Sequence, residues 1–139
     1  MLSPLLNVIN ITDDTHNPST FSFHIGKVRR DDGNFSMADV MLAADDCVDA
    51  GAKVISIAIS CLEDTSNRGC YKDQWDRQFR DIYNQGILII GAAGNTGGIS
   101  DEYPGAYTSV MSVSAVNQSS FWYNESTRNN QTEIAAPGV

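Results

Sequence analysis

The sequence predicts an α/β fold built on a mostly parallel sheet, and three stretches predict it. The first is Ile87-Leu88-Ile89-Ile90, followed by Gly91-Ala92-Ala93-Gly94-Asn95. A continuous apolar run bounded by Gly86 and Gly91 reads as a strand buried on both faces. It ends in small residues, where another backbone or a substrate can approach. The other two stretches are successive helix–glycine–strand units, one stopping at Gly51 before Val54 and one at Gly86 before Ile87. Two such units in a row predict parallel strands joined by right-handed crossovers. At 139 residues, 42% hydrophobic and 19% charged, the chain fits one domain with a real core.

Each element has its own local reason. Leu5 to Ile11 is apolar enough for a strand, although Asn7 and Asn10 weaken the pattern. Thr12 to Thr20 is rich in turn-forming residues and reads as a loop. Phe21 to Val28 reads as a strand, and Arg29 to Asn34 as a turn. Ser36 is a good N-cap, with Asp39 at the third helical position to complete a capping box. Met37, Val40, Met41, Ala44, Cys47 and Val48 then follow helical spacing, while Asp39, Asp45, Asp46 and Asp49 fall toward the polar side. Gly51 ends that helix. Lys53 leads into a strand from Val54 to Ile59, and Ser60 to Tyr71 is a loop. Lys72 to Gln85 forms a second amphipathic helix, with Trp75, Phe79 and Ile82 on one face. After the central strand, Thr96 to Glu102 is a Gly-rich polar loop. Val110 to Val116 is a strand in which Met111, Val113 and Ala115 alternate with serines. Asn117 to Thr132 is turn-rich, and Ile134-Ala135-Ala136 is a last short strand before Pro137-Gly138. The chain has no internal repeat, no linker and no second domain.

A net charge of −8 disfavours non-specific binding to nucleic acid or anionic lipid. No apolar run reaches the roughly 18 residues of a membrane span. The start, Met1 to Leu6, lacks the basic region of a signal peptide. Cys61 and Cys70 flank a polar loop and can close a local disulfide, while Cys47 suits a small buried apolar position in a helix. No Cys/His cluster has zinc spacing. Asn-x-Ser/Thr sequons at Asn10, Asn34, Asn117, Asn124 and Asn130 fit a secretory route.

Asn95 offers an amide NH2 at the carboxyl end of a buried parallel strand, where open α/β sheets place their ligands. Taken by itself, an Asn after Gly is a turn residue. Gly91 to Gly97 also has the look of a relaxed dinucleotide fingerprint. That fingerprint must open a helix, and Gly98-Ile99-Ser100-Asp101-Glu102-Tyr103-Pro104 is a poor one.

Ala92-Ala93-Gly94-Asn95 resembles the oxyanion-hole segment of the subtilisin family of serine endopeptidases. Val54 to Ser60 is similar to that family's substrate-flanking strand. The stretch from Tyr103 to Val116 resembles the family's segment after the oxyanion Asn, and Ala136-Pro137-Gly138-Val139 resembles the approach to the nucleophile. Order and spacing agree from about Phe23 to Val139. The resemblance implies a three-layer, doubly wound, mostly parallel sheet, here incomplete, and one partial catalytic domain over residues 1–139. It implies that Asn95 is the oxyanion donor. It places Gly33, Asn34 and Phe35 on an edge that pairs with an extended substrate. It puts Ala58, Ile59 and Ser60 on one wall of the specificity pocket and Ala92, Ala93 and Gly94 on the other. Plain sheet core is the competing role for Ile57 and Ile59. Ser60 and Cys61 stand where the family has glycines, so side chains narrow or reshape that pocket.

The family also needs an Asp, a His and a Ser nucleophile. Neither His-Gly-Thr-His nor Gly-Thr-Ser-Met-Ala is present. Ser36-Met37-Ala38 repeats part of the nucleophile motif but precedes Asn95 and reads as an N-cap. Asp13-Asp14-Thr15 is followed by His16 rather than Gly, and His16 and His24 lack the family context. The chain therefore resembles the middle of such an enzyme and is expected to be inactive alone and marginally stable. An alternative is an inactive relative that binds peptides or partners. The expected partner is a polypeptide substrate, with no nucleic acid and no membrane span, and the expected state is a monomer. Family grounds also favour secretion. No cofactor is expected. Some family members bind calcium near Tyr103 to Val110, but here only Glu133 and Gln131 stand nearby, a thin set for an ion that takes six to eight oxygens.

Overall fold

The computed structural model describes residues 6–10, 22–31, 33–63 and 69–138, and side chains from Phe23 onward within them. Asp13, Asp14, Thr15 and His16 lie outside the described residues. The elements run β1 (Leu6–Asn10), β2 (Ser22–Gly26), α1 (Met37–Asp49), β3 (Val54–Ile57), β4 (Cys61–Leu62), α2 (Asp73–Asn84), β5 (Leu88–Ala92), β6 (Glu102–Tyr103), β7 (Met111–Val116) and β8 (Thr132–Pro137). The main sheet has the order β3-β5-β7-β8 and is parallel throughout. β1 and β2 form an antiparallel ribbon beside β3.

α1 starts where the sequence places it. Ser36 Oγ accepts from the Asp39 amide at 3.2 Å, and the Ser36 amide donates to Asp39 Oδ2 at 3.0 Å, a complete capping box. The Ser36 hydroxyl bond holds the Asp39 carboxyl below the usual aspartate range, with Arg30 adding an ion pair at 2.9 Å. Gly51, at φ +81°, ends the helix in the left-handed conformation that glycine adopts without strain. In α2, Trp75, Phe79 and Ile82 are buried on one stripe. They pack with Met37, Val40, Met41, Ala44 and Cys47 of α1 against Ile55 and Ile57 of β3 and Ile89 of β5. Burying one such large apolar side chain stabilises the fold by about 1.5–3 kcal/mol. Burial also raises the Cys47 thiol to about 11, and its Sγ donates to the Ala43 carbonyl, so it is an inert core group.

The sheet departs from the sequence reading in three places. β3 ends at Ile57, and Ala58 leaves the ladder exposed to solvent. β5 is not buried on both faces: Ile89 and Gly91 are buried, but Leu88 is 36% exposed and Ile90 half-buried. Among the described residues both helices cover the face that Ile55, Ile57 and Ile89 present, and this leaves the Leu88–Ile90 face open. In β7 the serines point inward. Ser112 and Ser114 are buried while Met111, Val113 and Ala115 are half-buried. Gly105 packs so closely behind Ser112 and Ala92 that no large side chain fits there.

The loops Ser60 to Tyr71 and Thr96 to Glu102 contain a ladder that the sequence does not signal. Cys61 pairs antiparallel with Tyr103, and Leu62 with Glu102. The Cys61–Cys70 disulfide forms, with Cα atoms 5.6 Å apart. Tyr103 stacks against Tyr71 and Tyr107, and Tyr107 against Phe79. The Tyr107 hydroxyl donates to the Cys70 carbonyl at 3.2 Å. Burial pushes the Tyr103 phenol up to about 12 and raises that of Tyr107 as well.

Candidate active site

β5 delivers Ala92 and Ala93 to the carboxyl end of the sheet, where the Ala93 amide donates to the Val113 carbonyl at 3.0 Å. Gly94 follows at φ +116°. The loop after it is fixed by backbone bonds to a distant segment. Thr127 donates to the Gly94 carbonyl at 3.0 Å, Gly97 to Glu125 at 2.8 Å, and Arg128 to Gly98 at 2.9 Å. Asn95 is exposed at the head of this loop, and among the described residues its side-chain amide has no hydrogen-bond partner. It is a donor held on a fixed backbone and open to an incoming acceptor. No helix follows Gly97, so the dinucleotide reading lacks the element it requires.

The two predicted pocket walls meet through one residue that the sequence reading left in a loop. Glu102 is 4% exposed. Its Oε2 accepts from Ser60 Oγ at 2.7 Å. Its Oε1 accepts from Thr127 Oγ1 at 2.6 Å and from the Thr96 amide at 3.2 Å. Gly94 lies directly against it, so close that a Cβ there would overlap the carboxyl group. The carboxyl group thus lies between Ser60 on one side and Gly94 and Thr96 on the other. A lone acid beside Asp101 has no motif or period to mark it. Glu102 pairs with Leu62 in the β4–β6 ladder, beside the disulfide and the tyrosine cluster, and its carboxyl group is held by donors from three segments.

The remaining candidates are placed less uniformly. Ile59, beyond the end of β3, packs against the hydrophobic core while half-buried, and Ile57 is buried within that core. Phe35 also packs on the core, and lines a groove of about 330 Å³ with Cys61, Lys72 and Trp75. Gly33 and Asn34 are exposed, and their carbonyls already accept bonds from Arg29 and Arg30. His24 is half-buried in β2, and among the described residues no serine hydroxyl bonds to a histidine. Glu133 accepts from the Ser112 amide, and Gln131 brings no charge. Among the described residues no three His, Cys, Asp or Glu side chains converge as metal ligands.

The model of the Subtilase family matches residues 12–139. A thermophilic serine proteinase from Bacillus sp. (strain AK1) is 27% identical over 107 residues, which is 77% of this chain and 25% of that protein. The halolysin-like extracellular serine protease Nep of Natrialba magadii is 32% identical over 108 residues, 78% of this chain and 19% of that protein. Among solved structures, the psychrophilic subtilisin-like protease Apa1 from Pseudoalteromonas sp. AS-11 superposes with a TM-score of 0.70 and 34% identity, over 81% of this chain and 24% of that one. The chain therefore spans about a quarter or less of the length of these relatives. With the family model matched over nearly all of its length, the chain belongs to the subtilase family.

Proposed function

We propose that this chain is the middle of a secreted subtilisin-like serine endopeptidase, in which Asn95 stabilises the oxyanion. In peptide hydrolysis a serine attacks the scissile carbonyl, a histidine takes the serine proton, and an aspartate orients the histidine. The carbonyl oxygen gains negative charge as the tetrahedral intermediate forms. A donor fixed at that point stabilises the transition state more than the ground state. The observation that carries this reading is the free, exposed amide of Asn95 on a loop locked by its bonds to Glu125, Thr127 and Arg128. The triad residues are supplied by sequence flanking the chain, and the chain alone hydrolyses no peptide bond.

The test uses the full-length protein and a chromogenic peptide substrate. Asn95→Ala is expected to lower kcat by about 10²–10³ with little change in KM. An unchanged kcat overturns the assignment. If flanking sequence supplies no triad and no peptide is cleaved, the chain instead belongs to an inactive, peptide-binding relative.

A further inference from the structure

Among the described residues Glu102 is a buried carboxylate with three donors and no counter-ion. Ser60, Thr127 and the Thr96 amide supply hydrogen bonds, but among the described residues no Lys, Arg or His pairs with it. Arg128, next in sequence to Thr127, is engaged elsewhere: it donates to the Gly97 carbonyl and lies over Trp122. A carboxylate offers about four acceptor positions. Among the described residues Oε1 uses two of them, while Oε2 accepts only from Ser60. Burying an unpaired negative charge is costly, and an arriving cation offsets that cost.

The position of this charge relative to Asn95 gives it a role. If the Asn95 amide meets the scissile carbonyl oxygen, the side chain of the residue that owns that carbonyl starts only a few bonds away. Next to Asn95 stands Gly94, and against Gly94 lies the Glu102 carboxyl group. Resting on the oxyanion role of Asn95, we propose that Glu102 determines specificity, making the cleft select a substrate with lysine or arginine at the residue whose carbonyl is attacked. The ammonium or guanidinium donates to Oε2 beside the Ser60 hydroxyl, as a charge-assisted bond.

The test compares matched arginine, lysine, phenylalanine and leucine anilides on the full-length protein. The expected kcat/KM favours arginine and lysine by about tenfold or more. Glu102→Gln is expected to lower the arginine value about 10–100-fold and to leave phenylalanine within about threefold, while Glu102→Asp keeps much of the basic preference. A preference for phenylalanine or leucine overturns the proposal. So does an equal loss on all substrates in Glu102→Gln, which marks Glu102 as a purely structural clamp. If nothing is cleaved, the endopeptidase reading fails, and the fluorescence of p-aminobenzamidine titrated with the full-length protein decides this proposal separately. Binding that is lost in Glu102→Gln and retained in Glu102→Asp supports it. No binding, or equal binding by all three proteins, overturns it.

Discussion

Replacing Gly94 with alanine tests whether the Asn95 loop and Glu102 are one unit. Two effects add at this position. The backbone sits at φ +116°, where an L-residue is strained, and the new Cβ overlaps the Glu102 carboxyl group. Gly86 provides the reference, since it sits at φ +80° and a Cβ there would meet nothing within 4 Å. Gly86→Ala therefore reports strain alone, about 1–2 kcal/mol. In Gly94→Ala the carboxyl group must also move and lose its bonds from Ser60, Thr127 and Thr96. Bonds to a charged acceptor contribute about 1.5–3 kcal/mol each, and not additively, so the total cost is expected to be roughly 3–5 kcal/mol. Urea denaturation of the single variants and of Gly94→Ala in a Glu102→Ala background measures the coupling. In that background the cost of Gly94→Ala is expected to fall to the strain of φ +116° alone, which exceeds that of Gly86→Ala at φ +80°. Equal costs for the two glycine variants, or a Gly94→Ala cost that Glu102→Ala does not reduce, would refute the reasoning.

Three further perturbations have defined outcomes. The Cys61–Cys70 bridge closes a loop with a sequence separation of 9, so replacing both cysteines with serine should lower stability by about 2–3 kcal/mol, read as a shift of the urea midpoint that reductant does not enlarge. Asp39→Asn weakens the α1 cap and should cost about 0.5–1 kcal/mol at neutral pH. Because the folded carboxyl titrates below its unfolded counterpart, that contribution is complete above the ordinary aspartate range and is lost as pH falls through the lowered value, so melting curves of the two proteins should converge in acid. At the alkaline end the unfolded tyrosine ionises near 10.0 while folded Tyr103 holds its proton to about 12, so stability should decline across that interval, and Tyr103→Phe should flatten the decline.

The features legible in the sequence are local ones. Ser36 and Asp39 cap α1 across three residues, and Trp75, Phe79 and Ile82 mark one helical stripe, so both helices can be read from spacing alone. Asn95 is legible because an apolar run ends in small residues just before it, and because flanking segments resemble one family. The features that escape are made by distant partners. The β4–β6 ladder has only two residues on each side, too few for an alternation to show. Ser114 turns inward to donate to the Thr127 carbonyl, a bond that no single-strand pattern encodes, while the buried Ser112 hydroxyl has no hydrogen-bond partner among the described residues. Glu102 escapes for the same reason, since its donors come from three separate segments.

The bonds that lock the Asn95 loop also set an order of assembly. Thr96 and Thr127, whose hydroxyls lie 2.9 Å apart, are separated by 31 residues of chain. Contacts of that range form only after the intervening segment has closed, which is slow compared with helix formation. During synthesis, the loop that carries Asn95 can leave the ribosome well before the residues that fix it. The helices and β5 can dock on local contacts, but Asn95 acquires its final position only once Glu125, Thr127 and Arg128 have joined the fold. Nascent chains halted before that segment would hold a formed core around an unfinished cleft.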